Sequence, residues 1–351
     1  MEQFMWGELS TMILVGAFLA AGGVIFFSGL QMTGLADKLA DRTGLGEAII
    51  GAVLLGAATS LSGIIVSVTA ALDGRASLAF SNSVGGIAAQ TVFLAVADMF
   101  YRKINLEHAA ADLGNVFQGV VLMVLLTLPF VAMTTPEYTI WAIHPVSFVI
   151  PVVYAAGLVA GRTVHEAPMW VPVDTADTET DQPEEEDAES KSKSSLRLFL
   201  TFGFLMLLMG AAGYVIAKTA SELTDRMEIS ETLVGALVTA VVTSMPELVT
   251  TVVAVRKGAL QLAVGGIIGG NTFDTLFLMA SDVAYRDGSL YHAVSDQDYF
   301  WIVSALLMTG VLIGGLILRQ RQGPARIGIE SILLLLIYAG AIALQFLVGR
   351  T

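Results

Sequence analysis

The sequence contains no cysteine, which excludes a disulfide framework and thiolate chemistry. Charge is also scarce, because only 14% of its 351 residues are Asp, Glu, Lys or Arg. The four histidines lie far apart, without the spacing of metal ligands. We find no basic segment for nucleic acid and no phosphate-binding loop, nucleophile elbow or metalloenzyme motif. The sequence therefore favours neither an enzyme nor a nucleic-acid-binding protein, and it predicts no bound cofactor.

Long apolar runs dominate what is present. Hydrophobic residues make up 55% of the chain, and runs of about 20 apolar residues can cross a bilayer as helices. We therefore predict an all-α polytopic membrane protein surrounded by lipid. The N-terminus, MEQFMWGELS, lacks the basic region of a cleaved signal peptide, so the first run is predicted to be a retained span. The ten predicted spans are roughly 11–31, 47–72, 78–100, 113–133, 140–161, 196–218, 231–256, 260–281, 298–318 and 326–348.

One acidic segment divides the chain. The net charge of -13 is largely local, because ten acidic residues lie between His165 and Ser190. Such a composition cannot bury a core, so residues 162–195 are predicted to be a disordered linker between residues 1–161 and 196–351. Thirteen of the 18 basic residues fall on the linker side of the membrane, which predicts a cytoplasmic linker and both termini outside, in the plasma (inner) membrane. A regulatory or cation-sensing loop is the alternative to a plain spacer.

The two halves of the sequence repeat each other in one constant register. They align without a gap over about 60 positions, and spaced polar and small residues recur at the same offset throughout. Apolar spans share Leu and Val by chance, whereas a shared register of Asp, Thr, Ser and Gly indicates duplication. The matched pairs include Thr59 and Thr243, Ser60 and Ser244, Gly74 and Gly258, Phe93 and Phe277, and Asp98 and Asp282.

Each half carries five predicted spans. Because this number is odd, the second copy must enter the membrane from the opposite side, which predicts two inverted five-helix repeats. This architecture is typical of secondary transporters, whose sites lie near the midplane on helices interrupted by Gly or Pro. Residues 1–161 are therefore predicted to be the first repeat and residues 196–351 the second.

The seventh predicted span contains such an interruption, TSMPELVTT, which begins at Thr243. An acidic side chain at the centre of a span is costly, by roughly 2.5–3.5 kcal/mol on insertion scales, and usually serves an ion or proton pathway. Pro246 also leaves the Val242 carbonyl without its helical donor. The Glu247 carboxylate, this carbonyl and the hydroxyls of Thr243 and Ser244 are the hard oxygen ligands that cations prefer. The alternative is a proline kink with a protonated, structural glutamate.

The eighth predicted span supplies a second acid. Its sequence AVGGIIGGNTFDTLF is rich in glycine, which permits close helix packing or irregular backbone. Asn271 and Asp274 follow the glycines, three residues apart and therefore on one helical face. Two carboxylates from neighbouring helices, with Thr, Ser and Asn oxygens, predict a cation site. Glu247 and Asp274 are its predicted metal ligands.

These two segments resemble the second signature repeat of the sodium/calcium exchanger superfamily. Its general form is T-S-x-P-E, a basic-Gly turn, and then G-N-x-I-G-S-N-x-F, and the ten-span plan agrees along nearly the whole chain. In that superfamily one such motif per half brings two glutamates together at the centre, where calcium and the exchanged sodium ions or protons bind. The resemblance implies an ion-binding role for Thr243, Ser244, Glu247, Asn271 and Asp274.

The first copy departs from the superfamily pattern. It reads TSLSGIIVS, so Ser62 stands in place of the proline and Gly63 in place of the glutamate. Ile87 occupies the position that matches Asn271, and Gln90 the position that matches Asp274. The first-copy residues that complete the predicted ion-binding site are Thr59, Ser60, Asn82 and Gln90.

The predicted function is secondary active cation antiport, with Ca²⁺ or another cation exchanged for Na⁺ or H⁺. The two acids supply a charge of at most -2, which balances one Ca²⁺ or one or two monovalent ions. Two close carboxylates without a bound cation would share a proton, which favours proton coupling or a reduced stoichiometry. The alternatives are a proton-coupled or monovalent-cation exchanger that does not carry Ca²⁺, and a transport-inactive cation-binding protein. The oligomeric state is not predicted.

Two further acids occupy matched positions near span ends. Asp98 and Asp282 are each followed four residues later by an arginine, Arg102 and Arg286. This symmetry predicts a shared structural role, through ion pairs at i and i+4.

Overall fold

A computed structural model describes residues 6–43, 59–101, 103–178 and 195–348. Within these ranges the regular structure is helical, apart from one isolated bridge between Ile140 and Ile143. The helices are numbered here in chain order. They are α1 Thr11–Thr43, α2 Leu61–Leu72, α3 Ala76–Phe100, α4 Leu106–Ala109, α5 Leu113–Thr134, α6 Pro145–Glu166, α7 Ser195–Met227, α8 Glu231–Thr243, α9 Met245–Lys257, α10 Leu260–Ala284, α11 Leu290–Ala293, α12 Asp296–Leu318 and α13 Ile329–Val348.

The helices confirm an all-α membrane protein. Eight of them are long and apolar enough to cross a membrane, namely α1, α3, α5, α6, α7, α10, α12 and α13. The bent pair α8 and α9, if counted as one span, raises the number to nine among the described residues. The predicted second span, 47–72, lies partly outside the described residues, and only its end forms α2. The count of ten spans therefore stays a prediction.

Helix α3 forms the centre of the helix bundle. Nearly all of its residues are buried, and it packs against α2, α8, α9, α10, α12 and α13. Its side chains carry no exposed charged face, and most of the polar ones among them are buried with the rest. Gly85 lies against the backbone of Ala236 in α8, so closely that a Cβ atom at Gly85 would overlap with it. This contact brings the polar residues of α3 beside the break between α8 and α9.

The TSMPELVTT segment breaks its span into two helices. α8 contains a π-helical turn at Val234–Thr239, and α9 starts after Ser244 at an angle of 47° to α8. Pro246 lies in the first turn of α9, where a missing N–H is tolerated. α9 ends at Gly258, whose φ of 88° is left-handed and favours glycine. The proline therefore starts a new helix in the middle of the span and does not merely kink the old one.

Helices α1 and α7 each place a glycine against one of the two repeated segments, TSMPELVTT and TSLSGIIVS. A Cβ atom on Gly29 of α1 would overlap with the Pro246 ring, and one on Gly213 of α7 would lie 2.7 Å from the Ser62 carbonyl oxygen. The register of the sequence repeat matches Gly29 with Gly213, and likewise Ser62 with Pro246. Each helix therefore packs closely on the motif of the other half, in the register found in the sequence.

Asp98 joins three helices at the end of α3. It is fully buried, and its Oδ1 accepts a hydrogen bond from the Leu106 N–H of α4 at 3.0 Å. Its Oδ2 accepts one from the Gly328 N–H, just before α13, at 2.9 Å. Because a carboxylate stabilises the unpaired N–H groups of helix N-termini, Asp98 fixes both helix starts to α3.

Asp282 makes the equivalent contacts at the end of α10. It accepts from the N–H groups of Leu290 and His144, both at 2.8 Å, and from the Ser147 hydroxyl at 2.7 Å. Leu290 and His144 match the two partners of Asp98 in the register of the repeat. The predicted ion pair with Arg286 is wrong, because the Arg286 guanidinium donates to backbone carbonyls instead. The shared role of the two aspartates is to hold helix starts.

The start of the predicted linker is ordered by contacts to the end of α12. α6 continues to Glu166, inside the range predicted as linker. Beyond it, the Arg319 guanidinium donates to the Val173 carbonyl at 2.6 Å and to the Thr178 hydroxyl at 3.0 Å. Most of the acidic residues of the segment fall within 179–194, outside the described residues.

Candidate cation-binding site

A small polar cavity lies where α2, α3, α8, α9 and α10 meet. Its free volume is about 10 Å³, and a water molecule needs about 10–15 Å³ on this scale. The space therefore accepts one water-sized particle or one dehydrated ion. Among the described residues, no Lys, Arg or His side chain lines it. The lining residues are Ser60, Gly63, Asn82, Gly86, Gln90, Thr243, Ser244, Glu247, Asp274 and Phe277.

Glu247 presents an unused carboxylate oxygen to this site. The residue lies in the first turn of α9, where the positive end of the helix dipole stabilises negative charge. Its side chain is buried, and it forms a hydrogen bond with the Thr59 hydroxyl. Its Oε2, however, has no hydrogen-bond partner among the residues that the structure describes. A buried charged oxygen without a donor is costly, so Glu247 is the natural place for a proton or a cation.

Asp274 is already satisfied by neutral donors. The Ser60 hydroxyl donates to its Oδ1 at 2.6 Å. The Gln90 amide donates to its Oδ2 at 2.7 Å and to the Ser244 hydroxyl at 3.2 Å. The amide N–H groups of Gln90 thus take the place of a cation beside Asp274. Gln90 Oε1 has no donor in the described part of the chain. The two carboxylates differ in their environments, and only Glu247 has a free oxygen.

Three other predicted site residues are held by contacts of their own. Asn82 donates to the Gly63 carbonyl and accepts from the Thr239 hydroxyl at 2.7 Å. The Thr243 hydroxyl donates to carbonyls of its own helix, at 2.9 Å for Thr239. Asn271 lies outside the cavity lining and donates to Thr91 at 3.0 Å, although its Oδ1 has no partner. These side chains shape the site, and their free coordinating capacity is small.

Phe277 is a site residue that the sequence reasoning did not single out. A Cβ atom built on Gly63 would lie 2.7 Å from Cε2 of the Phe277 ring. The ring therefore occupies the space into which a glutamate at position 63 would extend. The matched pair of Phe93 and Phe277 in the repeat was visible in the sequence, but no periodicity places that ring against Gly63.

The donor set of the site consists of oxygen atoms. Across the described parts of the chain, no group of three or more His, Asp or Glu side chains is arranged to hold a metal ion. The site instead combines two carboxylates with hydroxyl and amide oxygens, all of them hard ligands of Na⁺, Ca²⁺ or a proton.

Residues 13–160 and 197–347 match the sequence model of a protein family that is described as sodium/calcium exchanger protein. These two segments cover most of the chain. The chain belongs to the sodium/calcium exchanger protein family. This membership and the apolar helices together make it an integral membrane protein. The superfamily resemblance read from TSMPELVTT is thereby confirmed.

Two curated relatives share 25–30% sequence identity with this exchanger-family chain. It is 25% identical to the putative antiporter CaxA of Alkalimonas amylolytica over 275 residues, which is 78% of this chain and 81% of CaxA. It is 30% identical to the inner membrane protein YrbG of Escherichia coli over 128 residues. That match covers 36% of this chain and 38% of YrbG.

Solved structures share the exchanger fold with this chain. The H⁺/Ca²⁺ exchanger CAX superposes with a TM-score of 0.68 at 12% identity, covering 96% of this chain and 86% of CAX. The sodium-calcium exchanger NCX_Mj superposes with a TM-score of 0.61 at 18% identity, covering 95% of this chain and 99% of NCX_Mj. At these identities the likeness establishes the fold alone.

Proposed function

We propose that this protein is a secondary active cation antiporter, which carries Ca²⁺ or another cation against Na⁺ or H⁺. The observation that carries the proposal is the buried, unpartnered Oε2 of Glu247 in a cavity with room for one ion. Intramembrane acids that face the interior of a bundle are typical of ion and proton pathways. The named activities of CaxA and the two exchangers of similar fold agree with antiport.

The proposed mechanism is alternating access to a midplane site centred on Glu247 and Asp274. We assign the two halves, 1–161 and 196–351, as inverted five-helix repeats, and the matched contacts of Asp98 and Asp282 support this assignment. Sites between such repeats lie on interrupted helices, and the α8–α9 break is one. The cation would bind Glu247 Oε2, with Asp274 supplying a second negative charge.

A proton-coupled or monovalent exchange is the second candidate function. It is favoured by the Gln90 amide, which donates to Asp274 and Ser244 and so reduces the charge available to a divalent cation. A site with one free carboxylate oxygen matches the charge of one Na⁺, K⁺ or H⁺ better than that of Ca²⁺. Proton competition at Glu247 would then couple cation binding to the proton gradient.

Gradient-driven uptake into proteoliposomes tests antiport directly. The purified full chain is reconstituted, and uptake of Ca²⁺, Na⁺, K⁺ and Mg²⁺ is measured at two pH values with an opposing Na⁺ or H⁺ gradient. We expect uptake of at least one cation to exceed that of protein-free liposomes and to stop when the gradient is collapsed by an ionophore. A protein that binds a cation but accumulates none under any gradient would instead be a transport-inactive cation-binding protein.

Gln90→Glu separates the two candidate functions. The exchange removes the amide donors and adds a third carboxylate beside Asp274. At about 4 Å and an effective dielectric constant of about 20, each unit charge pair contributes on the order of 4 kcal/mol. We therefore expect calcium affinity to rise by about tenfold or more relative to sodium affinity, as measured by isothermal titration calorimetry. An unchanged ratio would show that Gln90 does not set ion charge preference, and Gln90→Met provides the uncharged control of similar size.

The proposed orientation places both termini outside and the acidic linker in the cytoplasm, in the plasma (inner) membrane. It rests on the distribution of Lys and Arg between loops. The proposed partners are the lipid bilayer and small inorganic cations, without a resident cofactor.

A further inference from the structure

A second group of buried carboxyl groups lies at the end of α3, away from the cation site. It consists of Asp98 on α3, Glu107 on α4 and Glu330 at the start of α13, with exposed fractions of 0%, 0% and 4%. Asp98 follows Gln90 by eight residues, or about 12 Å along the helix axis. Both oxygens of Asp98 accept backbone N–H groups, so its charge is accommodated by the fold.

Glu107 has no such donors. Neither of its carboxyl oxygens receives a hydrogen bond from an N–H or O–H group of another described residue. Its carboxyl group does lie within hydrogen-bonding reach of the Glu330 carboxyl group. The Asn105 amide donates to Glu330 Oε1. Two carboxyl groups can form a hydrogen bond to each other only when one of them carries a proton.

The surrounding charges do not neutralise Glu107. His108, its neighbour on α4, is hydrogen-bonded to the Arg319 carbonyl and to the Thr175 hydroxyl. The Arg319 guanidinium donates to carbonyls and a hydroxyl, and Arg321 pairs with Asp177. Among the ion pairs of the described residues, none includes Glu107.

A proton fits this group better than a metal ion does. The described residues contain no group of three His, Asp or Glu side chains with metal-binding geometry, and the Asn105 amide points N–H donors toward Glu330. α4 lies between membrane-crossing helices and outside them. There, burial, and after it the carboxyl groups of Asp98 and Glu330, raise the pKa of Glu107 well above its usual value.

We propose that Glu107 and Glu330 bind one proton between their carboxyl groups, in a site separate from Glu247 and Asp274. The protonated member donates to the ionised one, and Asn105 donates to Glu330 from the other side. The site ties α4 to the start of α13 beside the Asp98 contacts. Its proton is not displaced by the transported cation, because no cation ligand of the cavity belongs to it.

Infrared spectroscopy of the full chain in lipid nanodiscs tests the site by detecting the C=O stretch of a protonated carboxylic acid. The cation site is first silenced with Glu247→Gln/Asp274→Asn, so that its own carboxylic acids do not contribute to the band. At neutral pH, we expect the band in this double variant and its loss when Glu107→Gln is added. Glu8→Gln, at an exposed position, is the matched control and keeps the band when it is added instead. A band that is missing from the double variant, or that survives the added Glu107→Gln, overturns the proposal.

Glu330→Gln provides a second test that does not depend on the folding of Glu107→Gln. The new amide can donate to Glu107 and stabilise its ionised form. In the same Glu247→Gln/Asp274→Asn background, the pH midpoint of the carboxylic acid band should therefore fall by about one pH unit or more, a tenfold change in proton affinity. An unchanged midpoint contradicts the shared proton.

The thermal stability of the protein gives an independent readout with a defined sign. Because the pKa of Glu107 is raised on folding, the folded state binds more protons than the unfolded state between the two pKa values. The stabilisation by this proton is complete below the ordinary glutamate pKa of about 4.3 and is lost as the pH rises through the raised value. Glu107→Gln should flatten this decline, so its melting temperature relative to wild type should increase by a few degrees between pH 5 and pH 9. A parallel decline in both proteins contradicts a protonated Glu107.

Discussion

Glu247→Gln is expected to abolish gradient-driven cation uptake. The exchange keeps the size of the side chain and its acceptor for Thr59, but it removes the negative charge that faces the cavity. At about 4 Å and an effective dielectric constant of about 20, a unit charge pair is worth on the order of 4 kcal/mol. This corresponds to about a thousandfold weaker cation binding. Uptake in proteoliposomes and binding by calorimetry measure the two effects separately.

The matched control for this experiment is Glu166→Gln. Glu166 is an exposed glutamate at the end of α6 that pairs with Arg162, and exposed ion pairs contribute about 1 kcal/mol or less. We expect this variant to transport like the wild type. A Glu247→Gln protein that melts normally and still accumulates cations would remove Glu247 from the mechanism.

Gly63→Glu alone is expected to lower the stability of the protein. Combined with Phe277→Ala, it is expected to raise the affinity for calcium. Alone, the new side chain meets the Phe277 ring, and overpacking of a buried site costs about 1–3 kcal/mol. When the ring is removed, the added carboxylate can reach the cavity beside Glu247. We then expect calcium to bind about a hundredfold or more tightly than in the wild type, because a third charge joins the site. Melting temperature and calcium calorimetry report the two outcomes.

Two variants isolate the charge from the change in packing. Phe277→Ala alone removes a buried ring, which costs about 3–5 kcal/mol, and it should not raise calcium affinity. Gly63→Gln/Phe277→Ala fills the same space without charge. If the Gly63→Glu/Phe277→Ala protein binds calcium no better than this glutamine control, the missing glutamate does not determine ion selectivity.

The sequence predicted most of the residues of the candidate site because they lie in a recognisable motif. Glu247, Ser244 and Asp274 line one cavity as the motif implied, and the interrupted span was predicted from Pro246. Motif and periodicity indicate which residues share a helical face. They do not indicate which atoms those residues use, and so the donation from Gln90 to Asp274 emerged only from the structure.

Contacts between distant parts of the chain limited the other predictions. Phe277 fills the space at Gly63 from a helix in the other half of the sequence. The matched positions of Asp98 and Asp282 correctly indicated a shared structural role. The predicted ion pair of Asp282 with Arg286 was wrong, and Arg102, the partner predicted for Asp98, lies outside the described residues. A backbone N–H group carries no signature in the sequence, so its use as the aspartate's partner could not be predicted.

The two buried aspartates also constrain the order in which the protein is assembled. Asp98 belongs to the first half of the chain, but the Gly328 N–H that donates to it belongs to the second half and is synthesised later. When Asp282 is synthesised, two of its hydrogen-bond donors, His144 and Ser147, are already part of the chain. Only the third donor, Leu290, follows it, eight residues later. The first half must therefore enter the membrane with one acidic group incompletely satisfied. The contacts of Asp98 are completed only after the second half has been synthesised, and those of Asp282 require groups of the first half.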